Sequence, residues 1–144
     1  MRLFTIGFTR TSAESFFTRL QAGGINRVVD VRLHNVSQLA GFAKRDDLRY
    51  FLKSICGLEY VHRLDLAPTE NMLDAYRKHR GSWAAYERSF VDLLRVRRIE
   101  DAIARDELDG ACLLCSEDKP HHCHRRVVAE YLAARWPEVE IVHL

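Results

Sequence analysis

Short runs of aliphatic residues alternate along the chain with longer stretches in which apolar residues recur at helical spacing. Residues 3–7 read as a short buried strand with a glycine at its end. Thr11 and Glu14 fit a capping box, so a helix carries Phe16, Phe17 and Leu20 and stops near Gly23-Gly24. The Val-rich residues 27–32 predict a second strand, and strand, helix and strand within about 30 residues make a βαβ unit with parallel strands. The middle of the chain is helical. Leu48, Phe51, Leu52 and Ile55 follow Asp46-Asp47 and end at Gly57. Residues 58–62 predict a short strand. Thr69 caps a helix through Tyr76 to His79, closed by Gly81, and Trp83, Tyr86, Phe90, Leu93 and Leu94 line one face of a longer helix. Residues 100–108 continue as a further helical segment. The wholly apolar residues 111–115 have the character of a central parallel strand. A helix beginning near residues 121–124 carries Val127, Val128, Tyr131 and Leu132, and residues 140–143 close as a last strand. The expected fold is α/β, a three-layer single domain over residues 1–144, with a mostly parallel sheet flanked by helices.

Composition narrows the function classes. The 144 residues are 47% hydrophobic and 29% charged, which disfavours disorder. Lys and Arg number 22 against 20 Asp and Glu, a net charge of +2, and neither half is a basic arm or acidic tail. Binding driven by a broad basic face is disfavoured, while a local basic pocket stays open. No apolar run approaches the roughly 20 residues that span a bilayer. The first residues lack a signal-peptide core. The expectation is a cytoplasmic protein with no membrane association. Seven histidines and four cysteines stand out, because five of these eleven residues fall between Cys115 and His124.

Ligands in open α/β sheets bind beyond the carboxyl ends of the strands. That rule selects Gly7 after the first strand, Asp30 and Arg32 at the end of the second, and Cys115, Ser116 and Glu117 after the central one. Asp30 and Arg32 are two apart and share a face. They form either a neutralising pair or a poised carboxylate beside an anion-binding arginine. The segment from Cys115 to Arg126 leaves a strand and enters a helix, whose N-terminus favours an anion or a thiolate. Cys123 in the first turn is therefore expected to have a depressed pKa, Glu117 to act as general acid or base, and His124 to shuttle a proton. A metal site from Cys115, His121, His122, Cys123 and His124 is an alternative, although no second ligand pair accompanies it. A Cys115–Cys123 redox pair is another. A C-x5-R phosphatase loop is excluded, since His121 stands where that arginine would be. Trp83, Tyr86 and Phe90 read as packing, His62 and His79 as surface or core-edge residues, Cys56 and Cys112 as small buried hydrophobes, and His143 as packing near the first strand.

Together these residues resemble a family of uncharacterised bacterial and archaeal proteins, the domain of unknown function 488. The resemblance lies in Phe4-Thr5-Ile6-Gly7-Phe8, in Asp30-Val31-Arg32 with Ser37 after it, and in Trp83-x-x-Tyr86. It continues in Leu113-Leu114-Cys115-Ser116-Glu117 with Cys123-His124-Arg125, and in Val142-His143-Leu144. The Cys-x-Glu…Cys-His-Arg element is the specific part. The chain departs from the pattern at His34-Asn35, where the family has a proline, and at residues 64–68, where it has a Leu-Gly-Gly-like turn. The resemblance implies a small α/β domain with its polar motif residues at one pocket. It supplies no reaction, and points only loosely to nucleic-acid transactions.

Three functional expectations follow. The first is an enzyme acting on a small anionic, nucleotide-like molecule by hydrolysis or group transfer. Gly7, Arg32, Ser37 and Arg125 would bind the anion, Glu117 or Asp30 would be the base, His124 the acid, and Cys115 or Cys123 the nucleophile. The second is a non-catalytic module for nucleic-acid ends or modified bases. The third is a Cys/His metalloprotein. Cofactor and oligomeric state are not set by the sequence.

Overall fold

The computed structural model describes residues 1–36, 40–117 and 119–144. Its elements follow the expected alternation. They are β1 (Arg2–Ile6), α1 (Ala13–Ala22), β2 (Arg27–Asp30), α2 (Arg45–Phe51), β3 (Glu59–His62), α3 (Glu70–Arg77), α4 (Trp83–Arg97), α5 (Ile99–Ala102), α6 (Arg105–Leu108), β4 (Ala111–Leu114), α7 (His124–Arg135) and β5 (Glu140–His143). The sheet has the order β3-β2-β4-β1-β5 and every pairing is parallel. The fold is three-layer α/β, as the pattern predicts.

Alternation along the strands builds the two covered faces. Phe4, Ile6, Val28, Cys112 and Leu114 pack with Phe16, Phe17 and Leu20 of α1 and Leu48 and Leu52 from α2 onward. Leu3, Val29, Val31 and Leu113 pack with Phe90 and Leu94 of α4, Ile99 of α5, and Val127, Val128 and Leu132 of α7. β4 is buried throughout, as its unbroken apolar run requires. No helix among the described residues is long and apolar enough to cross a membrane.

Several boundaries differ from expectation for identifiable reasons. The N-cap of α1 is Ser12, whose hydroxyl accepts from the Ser15 N–H at 3.1 Å, while Thr11 donates to the Thr9 carbonyl at 3.3 Å. The helix expected from Leu48 to Ile55 holds, but its last turn, Leu52–Cys56, is π-helical before Gly57 ends it at φ 66°. β2 stops at Asp30 because the Asp30 carboxylate accepts the Arg32 backbone N–H at 3.1 Å and turns the chain. The segment 100–108 is two short helices, α5 and α6, separated at extended Ile103. Thr69 caps α3 as expected, accepting from the Met72 N–H at 3.2 Å.

Candidate active site at the carboxyl edge of the sheet

An all-parallel sheet places every strand's carboxyl end on one edge. Chain leaving β2 runs to α2 on one face, and chain leaving β4 runs to α7 on the other. Adjacent strands whose connections part in this way open a crevice between them. Cys115, the first residue past β4, sits in it, with its N–H held by the Ile6 carbonyl at 3.2 Å. It is buried, yet it lines two cavities.

His124, the first residue of α7, meets Cys115 there. Its Nε2 lies 2.6 Å from the Val31 carbonyl oxygen. A carbonyl only accepts, so Nε2 carries the hydrogen and Nδ1 is left as an acceptor. Cys115 Sγ stands 3.3 Å from that Nδ1. Burial alone would raise the Cys115 thiol pKa; the hydrogen bond from Cys123 and the nearby Arg125 charge overturn this, and the thiol falls below its usual range. Burial also lowers the His124 pKa, which keeps the imidazole neutral and able to accept. The expectation of a depressed Cys123 thiol is corrected. Cys123 is the N-cap of α7, and burial together with its bond to Cys115 pushes its pKa well up. Cys115, Cys123 and His124 each offer one ligand atom, and these atoms lie within 4.8 Å of one another. They are the group among the described residues that would suit a metal.

Asp30 and Arg32 form a buried pair. Asp30 is 0% exposed and Arg32 2%. Arg32 donates through Nε at 2.9 Å to Oδ1 and through Nη2 at 2.8 Å to Oδ2. Tyr60 donates a short hydrogen bond to Oδ2, and Asn35 donates at 3.4 Å to the same oxygen. Burial and the Asp30 charge raise the Tyr60 pKa, so Tyr60 stays protonated. His62 donates to the Arg32 carbonyl at 2.7 Å. These bonds leave Arg32 Nη1 buried with no hydrogen-bond partner among the described residues. Arg32 lines a cavity of about 80 Å³ together with Arg77, Cys115 and His124.

Gly7 after β1, Glu117 in the β4–α7 loop and Arg125 of α7 lie together beside the crevice. A Cβ on Gly7 would lie 1.5 Å from the Glu117 carbonyl oxygen. The loop crosses β1 at this point, where Phe8 N–H, Thr9 N–H and the Thr9 hydroxyl all donate to the Ser116 carbonyl, at 3.2, 2.9 and 2.6 Å. Arg125, buried at the start of α7, donates a short bond to the Glu117 carbonyl and reaches Thr5 Oγ1 at 3.4 Å. That hydroxyl is 2.6 Å from His143 Nδ1, which gives His143 a polar partner beyond packing. The Arg125 contacts hold the loop, while the exposed Glu117 side chain reaches a cavity of about 340 Å³. Ser37 lies outside the described residues.

The structure therefore brings Cys115, Cys123, His124, Arg32 and Glu117 around one crevice, with Asp30 behind Arg32. It adds residues that sequence reasoning missed. Arg77 ends α3, is exposed, and lines both cavities. Tyr76 and half-buried Trp83 wall the larger one. The helices carrying them are legible, but no local signal shows that the end of α3 and the start of α4 lean over β4. No curated protein and no solved structure gives a significant match. The domain of unknown function DUF488 matches residues 12–132, from the α1 N-cap into α7, a stretch that contains Asp30, Arg32, Cys115, Cys123 and His124, and the chain belongs to that family.

Proposed function

We propose that the protein is an enzyme that uses Cys115 as a nucleophile on a small anionic substrate, by hydrolysis or group transfer. The observation that carries this reading is the Cys115 Sγ to His124 Nδ1 approach of 3.3 Å, with the other imidazole nitrogen held by Val31. A thiol paired with an oriented base is an activated nucleophile. Arg32 and Arg77 hold the anionic group beside the sulfur; Asp30, Tyr60 and Asn35 hold Arg32. Cys115 Sγ bonds to the electrophilic centre, and the leaving group departs with the proton that His124 accepted. Water, activated by Glu117, or a second acceptor then takes the group and restores the thiol.

Alkylation of Cys115 by iodoacetamide, followed by peptide mass spectrometry, tests the pairing, with Cys56 as the internal control. Replacing His124 with glutamine keeps a donor for the Val31 carbonyl and removes the base. The Cys115 rate is expected to fall by about a hundredfold, the low side of what an oriented base contributes. An unchanged Cys115 rate in a variant that unfolds at the same temperature as the parent would refute the assignment.

A second reading rests on the closeness of Cys115, Cys123 and His124. Two thiolates and one imidazole with an open side toward a cavity suit zinc, and a Nε2–H donated to a backbone carbonyl is the usual support of a ligating histidine. Elemental analysis of protein purified without a histidine tag separates the readings. Near one equivalent of zinc favours the metal, and none favours the free thiol.

A further inference from the structure

The two cavities at the crevice differ in character and share four lining residues. The smaller is lined by Arg32, whose buried Nη1 has no hydrogen-bond partner among the described residues. The larger, about 340 Å³, is at the small end of ligand pockets and is walled on one side by aromatic rings. Trp83 and Tyr86 have centroids 5.1 Å apart at 30°, and Tyr76 stands 5.6 Å from Trp83 and 5.1 Å from Tyr86. Tyr86 is buried and serves as the floor of this group, whereas Tyr76 and Trp83 are only partly covered. The His122 ring lies against Trp83 at 5.0 Å and 21°, so Trp83 already carries one planar heterocycle face to face. Arg126, held by Glu87 and Glu130 at 2.7 Å each, lies 6.0 Å from the Trp83 ring centre and braces it. Polar side chains of Glu117, Lys119 and His121 complete the wall. Leu73, Arg77, Cys115 and His124 line both cavities.

An aromatic chamber that shares Arg77, Cys115 and His124 with a cavity lined by Arg32 fits a molecule with both a ring and an anionic group. We propose that the substrate carries a planar heteroaromatic ring joined to an anionic group, as a nucleoside monophosphate does. The ring lies in the chamber of Tyr76, Trp83 and His122, and the anion reaches Arg77 and Arg32. This rests on the proposed anion site at Cys115 and deepens it. Stacking on aromatic side chains tolerates any base, because every base presents a π-face. Edge recognition by Glu117, Lys119 and His121 then selects among bases.

The test is protection of Cys115 from iodoacetamide by inorganic phosphate, ribose 5-phosphate and the four common nucleoside 5′-monophosphates, with half-protecting concentrations compared. At least one nucleotide is expected to protect at a concentration tenfold or more below that of ribose 5-phosphate. Trp83→Ala should abolish that gain and leave ribose 5-phosphate unchanged, and Trp83→Phe should retain it, which separates lost stacking from local unfolding. If phosphate and ribose 5-phosphate protect and no nucleotide does better, the aromatic assignment is wrong and the anion site stands. A nucleotide gain that survives Trp83→Ala overturns the chamber. If nothing protects, both the anion site and the inference fall.

Discussion

Asp30 and Arg32 show how one spacing admits two roles until the partners are known. Two residues apart at a strand end, they share a face, which either a neutralising pair or a poised base requires. The carboxylate accepts from Arg32, Tyr60 and Asn35 and has no contact with solvent. A carboxylate so occupied is suited to orienting Arg32 rather than taking protons. Its replacement by asparagine would leave the Arg32 guanidinium buried beside a neutral amide. Breaking one side of a buried pair costs about 3–5 kcal/mol, far more than an exposed pair would. Asp30→Asn is therefore expected to lower the unfolding free energy in a urea titration by that amount. A change under about 1 kcal/mol would mean that the pair is as dispensable as a surface one. Cys56 and Cys115 differ in the same way, by surroundings: burial raises the Cys56 thiol, whereas the Cys123 and Arg125 contacts bring Cys115 down. Since the thiolate is the reactive form, Cys115 should go on reacting with iodoacetamide as pH is lowered past the point where Cys56 stops. A parallel loss of both rates would contradict the assigned shifts.

The β4–α7 connection is the element that carries Cys115 and Glu117 into the candidate site. It is pinned at Ser116 by three donors from β1's own loop and at Glu117 by Arg125, and it passes over position 7 with no room for a methyl group. Gly7 is needed for close approach, not for a left-handed backbone. Gly7→Ala must push the loop away from β1 and shift Cys115 with it. Overpacking costs about 1–3 kcal/mol, and a backbone obstacle belongs at the upper end of that range. The expected result is a loss of about 3 kcal/mol in unfolding free energy, with slower Cys115 alkylation. Parent-like values for both would mean that the loop does not depend on the bare Cα of Gly7. The segment 64–68, where the chain departs from its family's pattern, is tied down in a similar manner. Arg97 Nη1 donates to the Leu64, Asp65 and Ala67 carbonyls at 3.4, 2.8 and 2.7 Å.

At the scale of the molecule, the layered α/β fold was legible because the central strands β1, β2 and β4 are runs of mostly buried apolar residues and each main helix repeats its apolar positions every three or four residues. The carboxyl-edge rule then selected Arg32 and Cys115 from chain order, and the helix start after the central strand singled out His124. Three things were not legible. Capping at Ser12 in place of Thr11 depends on backbone angles that neighbouring hydroxyl residues share in sequence. The acidity of Cys115 over Cys123 depends on which thiol donates to the other, and helix position alone favoured the wrong one. Arg77, Tyr76 and Trp83 reach the site only through the packing of α3 on α4, which no local pattern encodes. The proposed function has the sheet edge assemble a reactive thiol inside an anion site built from Arg32 and Arg77. The most direct test is the rate of Cys115 alkylation as inorganic phosphate is added, in the parent and in Arg77→Ala, a variant that removes an exposed side chain with no hydrogen bond or ion pair among the described residues. Phosphate is expected to protect Cys115 and spare the Cys56 rate, and Arg77→Ala to need about tenfold more phosphate for the same protection, the effect of losing one charge-assisted contact. A Cys115 rate indifferent to phosphate in the parent would contradict the proposed function.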